Sequence, residues 1–138
     1  MTKQEQYFAR DNYFSGWCRE KLPDSKTGFL VSDIDFILYD YSLKKIMLIE
    51  TKCRNAEIKK WQASIFNNIH KWISNGIDND WEYLGFHSLI FENTNFNDGI
   101  VYFDKKPISE ERLIKILSFG KAKTQEEIFE ESINNLIV

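Results

Sequence analysis

Two short apolar runs interrupted by carboxylates constrain this chain most: Asp35-Phe36-Ile37-Leu38-Tyr39 and Ile46-Met47-Leu48-Ile49-Glu50-Thr51-Lys52. Runs this rich in Ile, Leu, Phe and Tyr read as β-strands, and a carboxylate placed in a core strand is expensive to bury. Residues 40–45 give the most symmetrical hairpin closure between the runs. With Asp40 facing Lys45, that register sets Asp35 directly opposite Glu50. Opposed side chains share a sheet face with Cβ atoms about 4.5 to 5.5 Å apart, so two carboxylates there repel unless a cation lies between them. Alternation along the strand places Glu50 and Lys52 on one face and Ile49 and Thr51 on the other, with Asp33 opposite Lys52.

Two carboxylates and an ammonium on one face are the equipment for hydrolysing a phosphodiester: hard oxygen ligands for Mg²⁺ and a cation beside the attacking water. Glu-x-Lys alone commonly marks a solvated face with a cross-strand ion pair. Here it ends a wholly apolar run and is followed by a basic segment. Residues 44–72 carry seven Lys and Arg against Glu50 and Glu57, a local net of +5 in a chain of net charge -3. Arg54, Lys59, Lys60 and Lys71 are therefore candidate phosphate contacts, supplying affinity without sequence reading.

Elsewhere, aromatic spacing predicts a helix over residues 2–22, closed by Pro23, and a first strand over residues 27–31 precedes the two runs. Asn55 is read as the cap of a helix with a stripe of Trp61, Ile65, Ile69, Trp72 and Ile73, ending at Asn75-Gly76. Trp61 and Trp72 stand eleven residues apart, close to three turns, which predicts both in the core. Strands over residues 82–92 and 99–103 follow, separated by a turn-rich stretch. Two C-terminal helices, one capped by Ser109 and one by a Thr124-x-x-Glu127 box, are expected to pack on the sheet. The order predicts one α/β domain over 1–138, with a mixed sheet, a core of about 4–103 and a helical extension of about 108–137.

The pattern of Asp35, a gap and Glu50-Thr51-Lys52 within an α-β-β-β-α-β order resembles the PD-(D/E)xK nuclease superfamily, which includes restriction enzymes and Holliday-junction resolvases. That resemblance implies a restriction-endonuclease-like fold in which Asp35 and Glu50 hold Mg²⁺, with Mn²⁺ able to substitute, and Lys52 is the catalytic lysine. The Thr51 backbone carbonyl and Asp33 are further candidate ligands. Some branches place a glutamate of the first helix near the metal, which Glu5 matches, and a glutamine of the following helix beside it, which Gln62 matches within Gln62-Ala63-Ser64-Ile65-Phe66. No proline precedes Asp33 or Asp35, a departure from the motif's first letter. The implied activity is metal-dependent cleavage of DNA, by an endonuclease more than an exonuclease, and a chain this small favours a homodimer for cutting both strands. The alternatives are a nucleic-acid-binding module of the same fold without catalysis, or a protein-interaction domain.

Other chemistries lack support. His70 and His87 are too few for a His-based metal centre and receive no catalytic role, and Cys18 and Cys53 read as free thiols. No nucleophile elbow, phosphate-binding loop or dinucleotide fingerprint occurs. The polar opening residues and the lack of a long apolar run predict a cytoplasmic protein without membrane association.

Overall fold

The computed structural model describes residues 13–123 and 125–137, and the chain divides into two compact units, Met1–Asp33 and Ile34–Val138. In the first unit, residues 13–21 are helical (α1), with Cys18 buried. The Leu22 amide donates to the Cys18 carbonyl at 3.0 Å, and Pro23, which cannot continue a helix, follows. Asp24 then caps a single 3-10 turn, Ser25–Thr27, by accepting from the Lys26 amide. The strand expected over residues 27–31 does not form: Phe29, Leu30 and Val31 are exposed and have no ladder partner among the described residues. Apolar β-formers become a strand only when an edge and a core are there to receive them.

The second unit is a mixed five-stranded sheet in sequential order, β1 (Phe36–Asp40), β2 (Lys45–Lys52), β3 (Glu82–Phe91), β4 (Val101–Phe103) and β5 (Lys106–Pro107). The β1–β2 hairpin has the register expected from sequence, Phe36 facing Ile49 through Asp40 facing Lys45. Asp40 enforces it: one carboxylate oxygen accepts from the Ser42 amide (2.9 Å), the Ser42 hydroxyl (2.7 Å) and the Leu43 amide (2.9 Å). Its other oxygen meets Lys121 Nζ at 2.5 Å. Lys44, with φ of +55°, completes the reversal.

β2 is an interior strand, paired on both sides by β1 and β3, with Met47, Leu48, Ile49 and Glu50 all buried, as expected of a strand covered on both faces. It runs parallel to β3, and the crossover such pairing requires is α2 (Lys60–Gly76). Between the pairs Ile46/Tyr83 and Leu48/Phe86 the register shifts by one residue of β3. Gly85, at φ +99°, occupies that bulge, a conformation in which a side chain would be strained. Beyond it, Phe86, Ser88 and Ile90 face Leu48, Glu50 and Lys52.

One face of the sheet carries the cluster of Met47, Ile49, Leu89 and Val101, covered by Leu113 of α3 (Glu110–Leu117). Ser109 caps α3 by accepting from the Arg112 amide at 3.2 Å, as anticipated. α2 covers the other face, where Phe66 stacks on Phe86 with ring centroids 4.3 Å apart. Three expectations are corrected here. The α2 cap is Lys59, not Asn55; Asn55 instead takes φ +53° and donates its amide to the Phe91 carbonyl. Trp61 and Trp72 lie outside the core, because the buried positions of α2 are Gln62 and Phe66, one step round the helix. Finally, α4 (Gln125–Ile137) leaves Ile128, Phe129 and Ile133 exposed and is tied to α3 by a Lys115–Glu127 ion pair at 2.8 Å, not by an apolar face on the sheet. The expected box at its start involves Thr124, outside the described residues. No described helix is long and apolar enough to cross a membrane.

The hydrogen bond from Lys121, the amide of Leu43 and the hydroxyl of Ser42 hold the Asp40 carboxyl well below the usual carboxylate range. Because its folded-state pKa is depressed, its contribution to stability is complete above the unfolded value of about 3.9 and is lost as pH falls from there toward the folded value. Urea unfolding should therefore show wild type with a higher midpoint than Asp40→Asn at pH 7, and the gap should close below about pH 4. A gap that persists unchanged in acid would remove the ionised Asp40 from the account of the turn.

Candidate functional site

The C-terminal half of β2 delivers Glu50, Thr51 and Lys52, and α2 covers the face that Glu50 occupies. Glu50 has only 2% of its surface exposed, so its charge requires partners from the protein or a bound cation. Two are supplied on one oxygen: Gln62 Nε2 donates to Glu50 Oε1 at 3.1 Å, and Lys52 Nζ lies 3.5 Å from the same atom. Gln62 is itself 6% exposed, so the amide is committed to this contact and is not a solvated helix residue. Lys52 is less buried and reaches from the carboxylate toward solvent.

Asp35 stands one residue before β1, where the hairpin register extended by one step faces Glu50. Its Oδ2 accepts from the Thr51 amide (2.8 Å) and the Thr51 hydroxyl (3.0 Å). These bonds fix the carboxylate across the hairpin, and a carboxylate oxygen of Asp35 lies within 4.8 Å of one of Glu50. Two carboxylates so placed, one of them buried, form a hard-oxygen donor set suited to Mg²⁺ or Mn²⁺. The same pair without a cation is a like-charge contact that desolvation makes worse.

The structure thus brings together Asp35, Glu50, Thr51, Lys52 and Gln62. Asp33 is exposed and is the last residue of the first unit, and Glu5 lies outside the described residues. Arg54, Lys59, Lys60 and Lys71 are all exposed. Arg54 is set in the turn after β2, with φ +56° and its amide donated to the Asn93 carbonyl at 2.9 Å. Lys59 and Lys60 begin α2, two to three residues before Gln62.

Sequence reasoning did not find what lies next to this group. A cavity of about 560 Å³ opens on the α2 side of the sheet, lined by Phe66, His70, Phe86, Ser88, Ile90 and Asp104 among others. It adjoins the site because Ser88 and Ile90 are the β3 partners of Glu50 and Lys52. His87 is engaged structurally: its Nδ1 lies 2.6 Å from Asp104 Oδ2 and its Nε2 2.6 Å from the Leu84 carbonyl. Those contacts tie the β3 bulge to the β4–β5 turn. Glycine inside an otherwise regular strand was the one available signal for the bulge.

Removing a partner from Glu50 should destabilise more than removing its charge. Gln62→Ala is expected to lower stability in EDTA by about 1–3 kcal/mol, the cost of removing one hydrogen bond from a buried carboxylate. Glu50→Gln should unfold at the same or a higher urea concentration than wild type, and Mg²⁺ or Mn²⁺ should raise the melting temperature of wild type alone. Equal metal stabilisation of wild type and Glu50→Gln would exclude Glu50 as a ligand. Comparison with family models, with curated proteins and with solved structures gave no match, so the function rests on the chemistry of these residues.

Proposed function

We propose that this chain is a Mg²⁺-dependent nuclease of the PD-(D/E)xK type, a DNA endonuclease with a restriction-endonuclease-like core. The observation that carries the reading is the buried Glu50 carboxylate, within 4.8 Å of Asp35 and contacted on one oxygen by Lys52 and Gln62. A purely structural ion pair needs neither the second carboxylate nor the glutamine. The strand order departs from the superfamily pattern in one respect, since among the described residues two strands and not three precede α2. The hairpin, crossover helix and parallel strand that carry the site are nevertheless all present.

In this reading Asp35 and Glu50 hold the metal, with the Thr51 carbonyl as a further candidate ligand. Bound there, Mg²⁺ would polarise the scissile phosphate and make water a stronger nucleophile at neutral pH. Lys52 supplies a fixed positive charge at the edge of the site, where it orients the attacking water and offsets the negative charge that grows on the phosphate oxygens. Gln62 is a positioning residue: it holds Glu50 Oε1 and so aims the remainder of the carboxylate. Arg54, Lys59, Lys60 and Lys71 contact the phosphates on either side and set register without reading sequence. Cleavage of both strands of a duplex calls for two such sites, which a homodimer provides.

Supercoiled, linear and branched DNA incubated with Mg²⁺, Mn²⁺ or EDTA tests the proposal. Cleavage should require the metal and should fall by about 10²- to 10³-fold or more in Glu50→Ala and Lys52→Ala. Gln62→Ala should retain measurable activity. A folded wild-type protein that cuts none of these substrates with either metal sinks the nuclease reading.

A further inference from the structure

The two tryptophans of α2 face solvent, Trp61 at 42% and Trp72 at 66% exposure. Helical geometry puts residues eleven apart on almost the same line, about 17 Å from one another along the axis. Lys60 and Lys71 have the same spacing and lie on the adjoining line, and both are exposed. Ser64, Asn68 and Asn75, also exposed, occupy the space between. The helix, Lys60–Gly76, contains no Asp or Glu at all, in a chain whose net charge is -3. The two tryptophans stand beside cations, with no anion on the same helix.

We infer that this outer face of α2 is a track for an unpaired nucleic-acid strand, with bases stacked on Trp61 and Trp72 and phosphates on Lys60 and Lys71. The inference rests on the nuclease reading for its substrate class and goes beyond it by specifying strandedness. Base-aromatic stacking is sequence-tolerant but needs bases that are free of a duplex, whereas lysines alone would accept paired and unpaired backbones alike. The track also has a direction. Trp61 immediately precedes Gln62, whose amide touches Glu50, so along the helix axis the Trp61 end of the track is the one nearer the candidate active centre, and the strand runs from there to Trp72. At about 3.4 Å per stacked nucleotide, the span between the rings corresponds to some five nucleotides, fewer if the strand is extended. An apolar protein partner would be served by the tryptophans but not by Lys60 and Lys71 alongside them.

The test uses the whole chain in EDTA, so that binding is read without cleavage. Fluorescence anisotropy of a labelled oligothymidylate and of a labelled hairpin duplex gives the affinities, and quenching of tryptophan emission reports stacking. Trp61→Ala and Trp72→Ala should each weaken strand binding by roughly five- to 150-fold while leaving duplex binding nearly unchanged; Trp72→Phe should keep most of the affinity. Lys71→Ala should weaken strand binding and reduce the slope of log K against log salt by about 0.7. All three positions are exposed, so the variants are expected to unfold at wild-type urea concentrations. Unchanged strand affinity in both tryptophan variants, or no binding of the oligonucleotide by wild type, overturns the track, whatever the cleavage assay shows. Stacking without any metal-dependent cleavage would leave the track standing and remove the nuclease.

Discussion

A carboxylate buried in an interior strand of a sheet is the constraint around which the second unit is arranged. Glu50 belongs to a strand whose neighbours Met47, Leu48 and Ile49 are all core, and in such surroundings an ionised group is held only if other elements bring it compensation. Lys52 comes from the same strand and Gln62 from the covering helix. Asp35 brings a like charge instead, which adds to the electrostatic cost. Two acids in this relation, with a lysine and a glutamine aimed at one of them, cost stability when nothing neutralises them, and a divalent cation is the partner that this donor set suits.

Everything at the site depends on register, and two local devices secure it. The Asp40 carboxylate gathers the turn between β1 and β2 through Ser42 and Leu43. Side chains alternate, so a slip of one residue there would move Asp35 to the wrong partner. The bulge at Gly85 does the same for the parallel partner, bringing Ser88 and Ile90 opposite Glu50 and Lys52. With both fixed, the hydroxyl of Ser88 and the cavity beside it share the sheet face of the carboxylate. The exposed side of α2 is placed by the same packing: once Gln62 and Phe66 turn inward, Trp61 and Trp72 must turn outward.

Much of the site was legible because it is written in short-range terms. Alternation in two strands, a symmetrical turn and the spacing Glu-x-Lys suffice to predict that Asp35 faces Glu50, and the observed pairing from Phe36/Ile49 to Asp40/Lys45 agrees. Gln62 was legible only through resemblance, since its position in the helix sequence does not reveal that it points at Glu50. The tryptophans illustrate the limit from the other side. Hydrophobicity assigns Trp61 and Trp72 to the core, but the helix stripe that meets the sheet is centred on Gln62 and Phe66, and a shift of one residue rotates a helix by about 100°.

The sequence by itself determined the local facts: where chain reversals fall, which side chains share a strand face, where charge is concentrated, and that Ser109 caps a helix. Tertiary structure decided what depends on partners distant in the chain. Residues 29–31 have the composition of a strand yet form none, because a strand is completed by hydrogen bonds to a neighbouring edge and composition does not specify that edge. Ile128, Phe129 and Ile133 of α4 look like part of a packing face but remain exposed, since burial requires an unoccupied surface to receive them. The pairing of Gln62 with Glu50 likewise arises only when α2 is laid across β2 and β3. Contacts between elements decide burial, and burial decides which polar residues become a site.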